Sequence, residues 1–185
     1  MSDPKRGRLS GLWVLIVFPI LGILAAVLTL TGLPGSLQNG KQAAPSGVTI
    51  GAPAPDFKAA TLDDQSVRLS DLKGSIVAVT FWATWCEPCK TELPEWQKAV
   101  ERDSGKQLVV LAVNAGEEAG AARAFLKQLN LNLPVVLDPD SAIQGKYGVR
   151  VLPVTFWVDA QGVLQGENLG AVDLKLIERT MATLK

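Results

Sequence analysis

The stretch Phe81–Trp96 reads FWATWCEPCKTELPEW and contains both cysteines of the 185-residue chain, Cys86 and Cys89. A run of apolar and β-branched residues, SIVAVTF at 75–81, leads into it and predicts a buried strand. Apolar residues then recur at helical spacing, at Cys89, Leu93, Trp96 and Val100. We therefore expect the cysteines where a strand passes into a helix, with Cys86 at or just before the first helical turn.

This position favours a reactive thiol at Cys86. Unpaired backbone N–H groups and the positive end of the helix dipole lie at a helix N-terminus. Both stabilise a thiolate, which lowers the pKa of a cysteine and raises its reactive fraction at neutral pH. Pro88 suits the first turn, because its φ is helical and its missing N–H would have no partner there.

The chain has two cysteines and no histidine, which disfavours a metal site as the function of the cysteine pair. A structural zinc site needs four ligands, so carboxylates would have to complete it. A copper carrier needs histidine or a methionine cluster, and the chain has two methionines. A structural disulfide across so short a loop would remove little entropy from the unfolded chain. The pattern favours thiol–disulfide exchange, which requires no metal or other cofactor.

The first 47 residues differ in composition from the rest of the chain. The segment from Leu9 to Leu33 has no charged residue and directly follows a basic cluster, Lys5, Arg6 and Arg8. Its length suffices to span a bilayer, and the basic cluster places the N-terminus in the cytoplasm. We predict a cytoplasmic N-terminus at 1–11, a transmembrane signal-anchor helix at 12–31, a flexible linker at 32–47 and a folded extracytoplasmic domain at 48–185.

A cleaved signal peptide is the alternative interpretation of this segment. Its apolar core would be shorter, with a small-residue cleavage site close behind it. The nearest candidate site, at 42–44, lies well beyond the apolar run.

Overall charge gives no indication of a nucleic-acid partner, because Lys+Arg and Asp+Glu both number 18.

The pattern after residue 48 predicts an α/β domain. Strands are expected at 57–61, 66–69, 75–81, 107–114, 134–137, 154–158 and 163–166. Further helices are expected at 117–129, 141–147 and 172–184, the last with Leu176, Ile177, Thr180, Met181 and Leu184 buried. Ser70 is expected to cap a short turn that ends at Gly74. Alternating strands and helices followed by a hairpin predict a mixed sheet between helices, preceded by an N-terminal β-hairpin.

Four segments resemble a known family: FWATWCEPCKTELP, LAVNAGE, LPVVLD and YGVRVLPVTFWVDAQG. They are similar to the thioredoxin superfamily, and more narrowly to the membrane-anchored ResA/TlpA-type thiol–disulfide oxidoreductases. The resemblance runs from about Ile50 to the C-terminus. CEPC with Glu92 three residues later is most similar to the ResA branch, whose members reduce apocytochrome c before haem attachment. The resemblance implies a thioredoxin-like fold, an apocytochrome c substrate and a CcdA/DsbD-like membrane thiol donor.

The resemblance also implies roles for particular residues. Pro153 matches the family's cis-proline, which packs against the CxxC; with Leu152 it would pair with an extended substrate peptide. Thr80 stands six residues before Cys86, where thioredoxin has a buried Asp that handles protons. Glu92 is the expected substitute, as an active-site proton acceptor for the second cysteine. Spacing alone leaves an ordinary surface glutamate open as the alternative.

Residues around the cysteines complete the predicted substrate-binding set. Trp85 is expected to form an exposed substrate-facing surface, whereas Trp82 packs in the core. A glutamate such as Glu87 is more often a solvated surface residue than a functional one. Residues between the cysteines can nevertheless tune the redox potential of the pair. Pro88 lies beside it in the same segment.

The sequence thus predicts a membrane-tethered protein disulfide reductase in the bacterial cytoplasmic membrane, with three alternatives. A disulfide oxidase would use the same chemistry in reverse. A thiol peroxidase is suggested because the segment IGAPAPD at 50–56 resembles the start of peroxiredoxin-like domains. That resemblance implies a lone cysteine with Thr three residues before it, whereas Ala83 stands at that position before Cys86. A non-enzymatic anchored binding module would use the tryptophan-lined surface and would survive loss of both cysteines.

Overall fold

The computed structural model describes residues 48–103 and 107–184. The strands in these ranges are β1 (Lys58–Ala60), β2 (Ser66–Arg68), β3 (Ile76–Trp82), β4 (Leu108–Ala115), β5 (Val135–Asp138), β6 (Val154–Val158) and β7 (Leu164–Leu169). The helices are α1 (Glu87–Asp103), α2 (Ala119–Gln128), α3 (Ala142–Tyr147) and α4 (Leu174–Thr183), with a 3₁₀ helix at Leu69–Leu72. All predicted elements of the domain are present, and β7 is longer than predicted.

Five strands form one mixed sheet in the order β5-β4-β3-β6-β7. Strand β3 pairs in parallel with β4 and antiparallel with β6, and β1 and β2 form a separate antiparallel hairpin. Every residue of β3 is buried, as expected for a central strand with both faces covered. The predicted α/β architecture, with a mixed sheet, flanking helices and an N-terminal hairpin, is confirmed.

Two apolar clusters cover the two faces of the sheet, because successive side chains of a strand point to opposite sides. From β3, Ile76, Ala78 and Trp82 belong to one cluster, and Val77, Val79 and Phe81 belong to the other. The first cluster includes residues of α1, α2 and α4 together with both cysteines. The second includes residues of α3 and of the segment around the hairpin. The redox pair therefore belongs to the apolar cluster that fixes α1 on the sheet.

Two local predictions were wrong. Ser70 does not cap a turn: it lies within the 3₁₀ helix, and its N–H and hydroxyl donate to Asp56 at 3.0 and 3.2 Å. In α4, Leu176, Thr180 and Leu184 are only half-buried. A narrower stripe, Ile177 and Met181, makes the buried contact of this helix. The error at Ser70 arises because its partner, Asp56, lies 14 residues earlier in the chain.

Within 48–103 and 107–184, no helix combines the length and apolar character needed to cross a bilayer. The signal-anchor helix predicted at 12–31 and the linker predicted at 32–47 lie outside the described residues.

Candidate active site

Cys86 and Cys89 form a disulfide at the N-terminus of α1, with their Cα atoms 5.3 Å apart. Cys86 directly precedes the first helical residue, and the Cys89 N–H donates to the Cys86 carbonyl at 3.1 Å. Cys86 keeps 4% of its surface exposed, whereas Cys89 has none. The predicted strand-to-helix junction is therefore confirmed, and Cys86 is the cysteine of the pair that solvent can reach.

The two residues between the cysteines, Glu87 and Pro88, face solvent. Glu87 Oε2 accepts from Lys90 Nζ at 2.6 Å, one turn further along α1. Ion pairs this exposed contribute little to stability. Both residues lie on the surface beside the disulfide, as their proposed contact with substrate requires.

Glu92 is buried, with 1% of its surface exposed, so the alternative of a surface glutamate is wrong. Its Oε1 accepts a hydrogen bond from Trp96 Nε1 at 2.9 Å, and the hydroxyls of Thr80 and Thr155 lie 3.4 Å from the same oxygen. Burial raises the pKa of Glu92 from its ordinary value of 4.5 to about 7, although these hydrogen bonds lower it. Near neutral pH this side chain can therefore both accept and release a proton.

The sheet supplies the polar surroundings of the Glu92 carboxyl. Thr80 of β3 lies opposite Thr155 of β6 in the antiparallel register, and their hydroxyls are 3.0 Å apart. Both side chains are fully buried, so this threonine pair is a polar layer inside an apolar core. The Glu92 carboxyl contacts Thr80, the position where the family resemblance implied that an acidic group was missing. The structure therefore brings the Glu92 carboxyl into contact with the position where the resemblance implied the missing acid.

The peptide bond between Leu152 and Pro153 is cis, as the resemblance implied. Pro153 is buried directly before β6, and its carbonyl accepts from the Gly170 N–H at 2.9 Å. Leu152 is half-buried and packs against the apolar cluster that contains both cysteines. The loop before β6 is therefore anchored on both sides and lies against the same core as the redox pair.

The two tryptophans that precede the cysteines in the sequence, Trp82 and Trp85, have different surroundings. Trp82 is fully buried, with its ring centroid 5.4 Å from that of Phe125. Trp85 is 71% exposed. The prediction of one core tryptophan and one surface tryptophan is confirmed.

The sequence analysis missed one polar cluster beside the site. Glu117 Oε2 accepts from the Thr84 N–H and from Asn114 Nδ2, both at 2.8 Å, and its Oε1 accepts from the Thr84 hydroxyl at 2.5 Å. Asn114 lies in β4 opposite Trp82 of β3. The segment LAVNAGE was recognised as part of the resemblance, but nothing in it indicates which distant residue its glutamate contacts.

In the described part of the chain, no group of His, Cys, Asp or Glu side chains could hold a metal ion.

Comparisons with known proteins show the family of the chain. Residues 50–166 match the AhpC/TSA family. The thiol-disulfide oxidoreductase ResA of Bacillus subtilis (strain 168) is 33% identical over 164 residues, which cover 89% of this chain and 90% of that protein.

Two solved structures share the fold. The crystal structure of a candidate thiol:disulfide interchange protein DsbE from Chlorobium tepidum has a TM-score of 0.68 and 31% identity, and covers 75% of this chain and 99% of that chain. The exposed lipoprotein thioredoxin of Streptococcus pneumoniae strain TIGR4 has a TM-score of 0.60 and 32% identity, and covers 70% and 100%. With its thioredoxin-like fold and its Cys86–Cys89 disulfide, the chain belongs to the AhpC/TSA family and is a thiol–disulfide oxidoreductase related to ResA.

Proposed function

We propose that this protein is an extracytoplasmic, membrane-tethered reductase of protein disulfides. The observation that carries the proposal is the buried Glu92 carboxyl one helical turn after Cys89, with a pKa of about 7. A proton acceptor that titrates near neutral pH suits a thiol that must ionise before it attacks a sulfur atom.

The reaction consists of two exchanges of sulfur bonds. The Cys86 thiolate attacks one sulfur of the substrate disulfide, forms a mixed disulfide and displaces the other substrate sulfur as a thiolate. The Cys89 thiol then gives up its proton and attacks the Cys86 sulfur, which releases the second substrate thiolate. The substrate gains two electrons, and the enzyme is left with its Cys86–Cys89 disulfide. A dithiol donor must reduce this disulfide before the next cycle.

Glu92 accepts the proton of Cys89 in the second exchange. It follows Cys89 by one helical turn, a spacing at which side chains meet directly or through one water. As a negative charge near both thiols it also raises their pKa values, and so opposes the helix dipole. This balance suits a reductant, because a less stable thiolate form makes the dithiol a better electron donor.

The surface that receives the substrate consists of residues on both sides of the disulfide. Trp85, Glu87 and Pro88 supply the exposed side chains before and between the cysteines. Leu152 and Pro153 supply the neighbouring loop, whose backbone pairs with an extended peptide. An exposed tryptophan gives such a surface a large apolar contact.

Apocytochrome c is the proposed substrate, and a CcdA/DsbD-like membrane protein is the proposed electron donor. Both follow from the similarity to ResA rather than from a feature of the site. An oxidised peptide with a C-x-x-C-H sequence, the pattern of c-type haem attachment, therefore serves as the test substrate. Faster reduction of an unrelated disulfide peptide of equal length would argue against this specificity.

Membrane attachment through residues 12–31 is the remaining part of the proposal, with 1–11 in the cytoplasm and 48–185 outside. In a variant without Cys86 and Cys89, a single cysteine at exposed Lys175 should react with a membrane-impermeant maleimide in intact cells. A single cysteine at Asp3 should react only after lysis. The reverse labelling pattern would contradict the orientation. Labelling at position 175 on protein in the culture medium, with position 3 absent from that protein, would indicate a cleaved signal peptide.

A further inference from the structure

The turn between β3 and α1 is tied to the neighbouring strand by the carboxylate of Glu117. Both oxygens of this carboxylate accept from Thr84, one from its N–H and the other from its hydroxyl. Asn114 Nδ2 donates to the same oxygen as the Thr84 N–H. Since only the NH₂ group of an asparagine can donate to a carboxylate, these contacts also fix the orientation of Asn114.

The bonds act on a short segment of chain next to the nucleophile. The Cys86 N–H donates to the Ala83 carbonyl at 3.1 Å, so residues 83–86 form a tight turn. Thr84 and the exposed Trp85 are the inner residues of this turn. Because Trp85 is 71% exposed, core packing does not fix its position, which depends on the backbone of the turn. Hydrogen bonds to an ionised acceptor are among the stronger ones available for this purpose.

We propose that Glu117 is a positioning residue for thiol–disulfide exchange. By accepting two hydrogen bonds from Thr84 and a third from Asn114, it presents Trp85 and the Cys86 sulfur to the substrate in a fixed relation. The inference rests on the proposed function, in which Cys86 attacks and Trp85 contacts the substrate.

The predicted effect falls on substrate binding rather than on thiol reactivity. Glu117→Ala should lower kcat/KM for an oxidised peptide by about tenfold or more, mainly through KM, since small misplacements of a binding group are costly. The rate of Cys86 alkylation by iodoacetamide and its pH midpoint should stay close to those of the parent, because so small a reagent does not need Trp85.

The conservative variant separates geometry from charge. In Glu117→Gln, the amide oxygen can accept from Thr84 N–H and Asn114, while the amide NH₂ donates to the Thr84 hydroxyl, which is able to rotate. This variant should therefore recover most of the activity. If Glu117→Gln is as impaired as Glu117→Ala and shifts the pH midpoint of alkylation, Glu117 acts through its charge and the positioning role is wrong.

Two matched variants complete the test. Glu118→Ala removes the same charge from the next, exposed residue, whose side chain makes no capping hydrogen bond, and should behave like the parent. Thr84→Val removes only the hydroxyl contact and should give an intermediate rise in KM; it also replaces Glu117→Ala if that variant fails to fold in a thermal melt. Parent-like KM in both Thr84→Val and folded Glu117→Ala would overturn the positioning role. The proposed function fails separately, if Cys86→Ser still reduces the peptide.

Discussion

Replacing Cys86 by serine should reduce peptide disulfide reduction to the uncatalysed rate, because a hydroxyl cannot form a mixed disulfide with the substrate. Cys89→Ser should still attack, since Cys86 is the cysteine with residual exposure, but it cannot resolve the product. It should therefore accumulate a covalent enzyme–peptide adduct that dithiothreitol releases.

Non-reducing electrophoresis and mass spectrometry of the two variants measure this difference. Glu118→Gln, at an exposed residue outside the proposed substrate-binding set, is the matched control and should show neither defect. An adduct in Cys86→Ser, with none in Cys89→Ser, would reverse the assignment of the attacking and resolving cysteines.

Replacing Glu92 by glutamine should increase stability at neutral and alkaline pH. The carboxyl has an ordinary pKa of 4.5 and a folded-state pKa of about 7. Between these values the folded protein binds more protons than the unfolded chain, so the free energy of unfolding falls as pH rises. Above about pH 7 the penalty is constant, on the order of 3 kcal/mol. A neutral glutamine avoids it.

Urea unfolding of the oxidised proteins at several pH values tests the prediction. The stability of Glu92→Gln relative to the parent should rise by that amount between about pH 4.5 and 8. The exposed Glu118→Gln serves again as control and should not reproduce a rise of this size. A pH-independent difference for Glu92→Gln would mean that its carboxyl is not perturbed in the folded state.

The same variant tests the chemical role of Glu92. Without its negative charge, the thiols should ionise at lower pH, so the pH midpoint of their alkylation should fall. Reduction of the peptide should nevertheless slow, because the proposed proton acceptor for Cys89 is lost. Parent-like titration and turnover would leave Glu92 with a purely structural role.

Local patterns were sufficient to predict the elements of the fold. Each element buries one or both of its faces, and this burial determines the spacing of its apolar residues. Examples are the apolar run of β3, the helical spacing after Cys89 and the alternation of strands and helices. The junction that carries the CxxC could be placed for the same reason.

Contacts between distant residues could not be predicted in this way. Spacing placed Glu92 only at the margin of the apolar face of α1, and its full burial depends on Thr155, 63 residues later. The contact of Glu117 with Thr84, 33 residues apart, depends on the register of β3 and β4. Family resemblance supplied the cis-proline, which base rates for an X–Pro bond do not favour.

The reduction potential of the Cys86–Cys89 pair tests the reductase proposal most directly. Equilibration of the purified protein with dithiothreitol redox buffers at pH 7, followed by acid quenching and mass tagging of free thiols, measures it. We predict a value near about −270 mV, in the range of thioredoxin-type reductants. A value near about −120 mV, typical of a strong oxidant, would contradict the proposal and indicate a disulfide oxidase.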